Sequence, residues 1–121
     1  MISIYVIFSI LLIHWVADFC LQSDWQAKNK SKEWIALLSH TTIYSLCWVP
    51  FIAVIGNNNL TTTCLFVFIT LICHTITDYF TSRLNTKLWN AGKTHNFFVS
   101  IGFDQVLHYV QLFLTYYLLT N

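Results

Sequence analysis

Four apolar blocks, each long enough to cross a lipid bilayer, constrain this chain more than any other feature of its sequence. A spanning helix needs about 20 mostly apolar residues at a rise of 1.5 Å per residue. The blocks cover residues 2–22, 34–55, 61–82 and 96–119. Strict alternation of polar and apolar residues is absent from them, which argues against transmembrane strands. We therefore predict an all-α fold, an integral membrane four-helix bundle that forms a single transmembrane domain over residues 1–121.

The composition agrees with a membrane protein and excludes several other classes. Charged residues make up 9% of the 121 residues, whereas soluble globular proteins contain about 25%. Six Lys and Arg against five Asp and Glu give a net charge of +1, which is too little for binding to a phosphate backbone. We expect no nucleic-acid partner, and we expect membrane lipid as the partner.

The basic residues predict the orientation of the chain. All six lie in the first and third predicted loops, at residues 23–33 and 83–95: Lys28, Lys30, Lys32, Arg83, Lys87 and Lys93. The positive-inside rule places such loops in the cytoplasm. Both termini are then predicted to lie outside.

Ionisable residues inside the predicted spans are the main functional signal. Each charged residue at the centre of a span costs roughly 2.5–3.5 kcal/mol on insertion scales, so such residues are functional candidates by default. Three of the five acidic residues and four of the five histidines lie within the blocks, and His95 lies at a boundary. The candidates are Asp18, Asp78, Asp104, His14, His40, His74 and His108.

The spacing of these residues predicts that they converge. Three pairs are separated by four residues and so share a helix face: His14 with Asp18, His74 with Asp78, and Asp104 with His108. At 1.5 Å per residue they lie about 6–18 Å from the basic ends of their helices, in one layer. The first two pairs form a weak internal repeat, which is consistent with two tandem helical hairpins.

Imidazole and carboxylate side chains at one depth indicate a divalent metal site, with zinc as the first choice and manganese or iron as alternatives. The predicted ligands are His14, Asp18, His40, His74, Asp78 and His95. Together with Asp104 and His108 these eight candidates exceed the ligands of one zinc ion, which implies either two metals or one metal with acid–base groups. We assign Asp104 and His108 to catalysis, with Asp104 as the general base. Lys28 and Lys93, at the mouth of the site, are predicted to bind a substrate head group.

Three functions fit this pattern. The first is a metal-dependent hydrolase acting on a membrane lipid or related phosphoester, in which the metal lowers the pKa of a bound water toward about 7. The second is a proton or metal-ion transporter or channel component, since chains of Asp and His also serve transport. The third is a non-enzymatic membrane protein whose polar residues only bind helices together, at about 0.6 kcal/mol per contact. A haem four-helix protein with axial histidines on facing helices also stays open, although three acids at the same depth would be superfluous there.

Three segments carry a resemblance to a known family: residues 14–25, 74–80 and 104–108. They resemble small multi-span membrane proteins of unknown function from bacteria and their phages. The resemblance covers nearly the whole chain and implies no established activity. It implies the inner (cytoplasmic) membrane of a bacterium, or that of the host if a phage encodes the protein.

A more distant similarity links Thr94-His95 and the paired His and Asp residues to the membrane-bound metal-dependent hydrolases. Those proteins typically carry His-Arg before the Thr-His and Ser after it. Here Ala91-Gly92-Lys93 precede the pair and Asn96 follows it, so the match is partial.

Overall fold

The computed structural model describes all residues 1–121, and its regular secondary structure is entirely helical, as predicted. The first helix continues directly into a π-helical turn, and a short second helix follows before four further helices. The elements are α1 Ile4–Trp15, the π turn Val16–Cys20, α2 Asp24–Asn29, α3 Trp34–Leu46, α4 Val49–Ile55, α5 Leu60–Asn90 and α6 Thr94–Thr120.

Three helical segments are long and apolar enough to cross a membrane: Trp34–Ile55, Leu60–Asn90 and Thr94–Thr120. The first apolar segment, Ile4–Cys20, is shorter than these. The chain therefore has the helices of a membrane protein, as its composition predicts. A fourth crossing and the orientation of the termini stay predictions.

Helix α5 extends well beyond the predicted span at residues 61–82. It has 31 residues and so a length of about 46 Å at 1.5 Å per residue, against about 30 Å for the hydrocarbon core of a bilayer. The predicted span ends at residue 82, where apolar side chains give way to polar ones, but the helical backbone hydrogen bonds of α5 continue to Asn90. The predicted loop at residues 83–95 shrinks to residues 91–93, where Gly92 adopts a φ of 71°.

The second apolar block is interrupted between α3 and α4. Pro50 lies in the first turn of α4, where its missing N–H removes no helical hydrogen bond. The chain passes from α3 to α4 through a turn at Cys47 and Trp48. This turn leaves the Trp48 side chain fully buried.

Helix α5 packs along α6 and against α3 and α4, and α1 packs against α6. The buried apolar core lies one or two helical turns from the polar candidates, on the side away from α2 in every helix. Ile10 precedes His14, Phe66 precedes His74, and Leu112 follows His108. The core therefore closes the side of the polar layer that faces away from α2 and the basic residues. We call the opposite side, which carries α2, the basic side.

Candidate metal centre

The π turn determines where Asp18 lies. The amide of Leu21 donates to the Val16 carbonyl at 2.9 Å, which is the i to i+5 closure of a π helix. Such turns occur frequently at functional sites. Asp18 lies in the middle of this turn, which packs on α3, so its carboxylate meets a histidine of that helix.

Four buried side chains from the π turn, α3 and α5 converge on one point: Asp18, His40, His74 and Asp78. One ligand atom from each lies within 4.8 Å of the other three. The Nε2 atom of His40 is 3.1 Å from Asp18 Oδ1 and 3.3 Å from Asp78 Oδ2. The Nε2 atom of His74 is 3.4 Å from each of the same two oxygens. The two Nε2 atoms are 3.3 Å apart.

These distances match the edges of a tetrahedron around a metal ion. Zinc binds histidine nitrogen and carboxylate oxygen at about 2.0–2.1 Å, which gives ligand–ligand distances of about 3.3–3.4 Å. In contrast, one proton on His40 Nε2 can be directed at only one of the three neighbouring atoms. The four side chains could therefore hold a metal ion, as the sequence predicts.

The ring of His74 is held in place by stacking. It lies between the rings of Tyr44 and His108, with centroid distances of 3.8 and 4.2 Å and interplanar angles of 21° and 20°. Its Nδ1 atom is buried without a hydrogen-bond partner. Stacking, rather than a hydrogen bond, directs its Nε2 atom toward the carboxylates.

The two predicted catalytic residues adjoin this group. The Nε2 atom of His108 lies 3.2 Å from Asp78 Oδ1 and 3.3 Å from Asp104 Oδ1. Asp104 also accepts hydrogen bonds from Thr81 Oγ1 at 2.7 Å and from Gln105 Nε2 at 3.2 Å. Together with Asp18, Asp104 and His108 form a second group of close ligand atoms. The two groups share Asp18, so the polar layer is continuous.

His14 lies beside the four-residue group but is engaged elsewhere. Its Nε2 atom is 2.6 Å from Gln105 Oε1, and its Nδ1 atom is 2.7 Å from the hydroxyl of Tyr44. Because an amide oxygen only accepts, Nε2 donates to Gln105 and Nδ1 accepts from Tyr44. Both nitrogens are thus used, and the distance to Asp18 Oδ2 is 3.6 Å. His14 orients Tyr44 and Gln105 rather than joining the four converging side chains.

The structure does not bring His95 to the polar layer. His95 is exposed in the first turn of α6 and belongs to neither group of close ligand atoms. Its position follows from the short turn at residues 91–93, which starts α6 beyond the rim of the site. Four of the six predicted ligands therefore come together.

Lys30 is a member of the site that the sequence analysis missed. Its Nζ atom lies 2.9 Å from Asp78 Oδ2, and its side chain is only 18% exposed. Burial disfavours the ammonium form, but the charges of Asp78 and Asp18 outweigh that effect and raise the pKa of Lys30. The sequence contained a signal for such a residue, because three acids buried within predicted spans require a nearby cation.

Helix α2 carries Lys30 to this position. Ser23 and Gln26 form a capping box at its start, which satisfies two backbone amides. The side-chain Nε2 of Gln26 also donates to Ser39 Oγ at 3.1 Å, and this hydrogen bond connects α2 to α3. The end of α2 is thereby fixed above Asp78.

A cavity of about 560 Å³ opens next to the polar layer on its basic side. Asp18 and Asp104 contribute to its lining, so the cavity reaches both groups of ligand atoms. Of the two predicted head-group residues, Lys28 lines the cavity and Lys93 does not. Lys93 is exposed in the turn before α6.

Comparison with known proteins gives a family but no activity. Residues 6–121 match the family described as "Protein of unknown function (DUF3307)", and the chain belongs to that family. No curated protein and no solved structure matches the chain. The match agrees with the resemblance to a family of unknown function. Nothing in the comparisons supports the more distant similarity to the membrane-bound metal-dependent hydrolases.

Proposed function

We propose that this chain is a multi-pass membrane protein that binds one divalent metal ion and hydrolyses a membrane lipid or a related phosphoester. The proposed ligands are Asp18, His40, His74 and Asp78. One observation carries the proposal: five of the distances among the four ligand atoms fall between 3.1 and 3.4 Å. Zinc fits this set best, with manganese or iron as alternatives.

The charges of the site favour a single divalent ion. Asp18, Asp78 and Asp104 carry three negative charges, and all three are buried. With the histidines neutral, a divalent ion together with the ammonium of Lys30 balances them. Uncompensated charge away from water is strongly unfavourable. A second divalent ion would leave excess positive charge, so two metals fit less well than one.

Hydrolysis requires an activated water and a base. A bound metal would lower the pKa of a water ligand and polarise a phosphoryl or acyl oxygen, and zinc accepts a fifth ligand during catalysis. Asp104 borders the cavity, and Thr81 and Gln105 orient its two carboxylate oxygens. We assign it as the general base. His108, between Asp104 and Asp78, positions both carboxylates.

Transport is less well supported by the geometry. The side chains of Ile10, Tyr44, Phe66 and Leu112 are fully buried directly beyond the polar layer. They leave no row of ionisable groups through the other half of the helices. An opening on the basic side alone suits a binding or catalytic site.

A purely structural polar network is also less well supported. Without a cation, His40 Nε2 and His74 Nε2 would face each other at 3.3 Å while both approach the same two carboxylate oxygens. Two protons there would repel each other, and two lone pairs would do the same. If one nitrogen donates to the other, the unprotonated nitrogen directs its lone pair at two carboxylate oxygens within 3.4 Å. A metal ion at the centre satisfies all four ligand atoms.

Metal analysis tests the proposal. We expect elemental analysis of freshly purified wild type to give one divalent ion per chain, and we expect His74→Ala and Asp78→Asn to lose it. His95→Ala is the matched control, because His95 is exposed outside the site, and it should retain the metal. A metal-free wild type, or metal retained in both site variants, would favour the structural network instead.

A further inference from the structure

The cavity on the basic side contains polar atoms that the protein leaves without partners. Gln22 Oε1, Ser82 Oγ and Asn85 Oδ1 are buried and form no hydrogen bond, and all three residues line the cavity. Ser82 is only 6% exposed. Buried polar groups are nearly always paired, so these three indicate a polar ligand.

The type of these atoms indicates what the ligand carries. A carboxamide has an oxygen that accepts and a nitrogen that donates, and a hydroxyl does both. In the orientation that these carboxamides adopt here, the oxygens of Gln22 and Asn85 need hydrogen-bond donors, which bare phosphate oxygens do not provide. Hydroxyl groups can pair with all three side chains. The cavity therefore matches a ligand with free hydroxyls.

The charges around the cavity indicate an anionic group next to those hydroxyls. Two acids and two lysines line the cavity: Asp18, Asp104, Lys28 and Lys30. Asp18 and Asp104 belong to the two groups of close ligand atoms, and Lys30 is paired with Asp78. Lys28, at the exposed edge of the cavity, has no carboxylate within ion-pair distance. Lys28 is thus free to bind phosphate as a point charge. It would repel an ammonium head group.

The remaining wall of the cavity is apolar and identifies the source of the ligand. Trp89 at the end of α5 and Phe97, Phe98 and Ile101 in the first turns of α6 form this wall. Trp89 and Phe98 are more than half exposed. In helices suited to cross a bilayer, such side chains face acyl chains or the interfacial layer. A ligand that contacts both walls is amphiphilic.

We infer that this cavity binds the head group of an anionic phospholipid that carries free hydroxyls, such as a glycerol head group. The phosphate pairs with Lys28, and the hydroxyls pair with Gln22, Ser82 and Asn85. This inference rests on the proposed function, because it places the bound lipid beside the proposed metal ligands. It names that lipid as the substrate class. Lipid binding itself does not require turnover.

Native mass spectrometry of the metal-loaded protein tests this inference. The protein is reconstituted with phosphatidylcholine containing equal shares of phosphatidylglycerol, phosphatidic acid and phosphatidylethanolamine. Each lipid carries its own pair of acyl chains, so that adducts of a lipid and of its hydrolysis product are assigned to the same parent and counted together. We expect phosphatidylglycerol to exceed the other two by about tenfold, because only it provides both the anion and the free hydroxyls.

Matched amide variants locate the binding. Asn85→Leu and Gln22→Leu should reduce the preference to a few-fold or less, whereas Asn90→Leu should keep it, because Asn90 is exposed and does not line the cavity. Equal binding of phosphatidic acid would overturn the role of the hydroxyls. Equal binding of phosphatidylethanolamine would overturn the role of charge. An unchanged preference in both cavity variants would overturn the site.

Two further measurements separate the possible failures. Displacement of bound lipid by equimolar soluble glycerol 3-phosphate would overturn the assignment to a lipid and indicate a soluble ligand. Metal content is measured on the same samples. Normal metal content without lipid preference would overturn only this inference, and a lack of metal would overturn the proposed metal site.

Discussion

The Nζ atom of Lys30 lies 2.9 Å from Asp78 Oδ2, the same oxygen that is 3.3 Å from His40 Nε2. A lysine ammonium and the proposed metal therefore share one carboxylate. The pKa of Lys30 is raised above its ordinary value because the nearby carboxylates outweigh the effect of burial. Lys30 thus stays charged at neutral pH and supplies part of the counter-charge whether or not a metal is bound.

Removing this ammonium should destabilise the protein most when the metal is absent. We expect Lys30→Met to lower the free energy of unfolding of the metal-free protein by up to about 3–5 kcal/mol, because the buried carboxylate of Asp78 loses its ammonium partner and keeps only histidine contacts. Added zinc should restore part of the loss. The measurement is denaturant unfolding in detergent, with chelator and with zinc.

Lys32→Met is the matched control, because Lys32 is exposed and forms no ion pair. It should change the free energy of unfolding by no more than about 0.5 kcal/mol. If the two variants unfold alike without metal, the ion pair with Asp78 has no role in stability.

Replacing the proposed general base should separate catalysis from metal binding. We expect Asp104→Asn to keep its metal and to hydrolyse lipid at least about a hundredfold more slowly, the usual contribution of general-base catalysis. Mass spectrometry of liposomes made from a mixed bacterial lipid extract measures the lipid consumed. Asp24→Asn, at the exposed start of α2, should behave as wild type. Metal-loaded wild type that consumes no lipid would rule out this substrate class.

Metal occupancy should depend on pH in one direction. Histidine binds metal only when neutral, so protons compete with the ion for imidazole ligands. We expect zinc occupancy to fall as the pH drops below about 6 and to be retained on the alkaline side of that value. Equilibrium dialysis against buffered zinc at several pH values measures it. Occupancy that is flat through this range would argue against histidine ligands.

The orientation of the chain can be tested with reporter fusions. All six basic residues lie between residues 28 and 32 or between residues 83 and 93, so the positive-inside rule places those regions in the cytoplasm. A reporter fused at Asn121 should read as extracytoplasmic, and one inserted at Gly92 as cytoplasmic. A cytoplasmic signal at Asn121 would exclude the predicted topology.

The polar layer was predictable because helical spacing determines depth and face. His14 and Asp18, like His74 and Asp78, are four residues apart within apolar segments, and polar stripes turn toward neighbouring helices. With His40 at a similar depth, this predicts that the four side chains meet, and the structure has one ligand atom of each within 4.8 Å of the others. Helical spacing does not distinguish His14 from the four converging residues, because the π turn and the contacts of His14 with Tyr44 and Gln105 depend on packing.

The remaining parts of the site depend on tertiary contacts between segments distant in sequence. In the sequence nothing distinguishes Lys30 from the other five basic residues of the predicted cytoplasmic loops. Only the capping of α2 and its hydrogen bond to Ser39 bring it over Asp78. His95 and Lys93 were misplaced relative to the cavity for a related reason, since the change in polarity after Ser82 does not coincide with the end of α5.

One uninterrupted helix carries both halves of the proposed site. His74, Asp78, Ser82 and Asn85 lie on successive turns of α5, so the metal ligands and the head-group contacts belong to one rigid rod. Any shift of this rod that improves one set of contacts changes the other. Metal and lipid binding are then linked: if bound lipid alters metal affinity by some factor, bound metal must alter lipid affinity by the same factor.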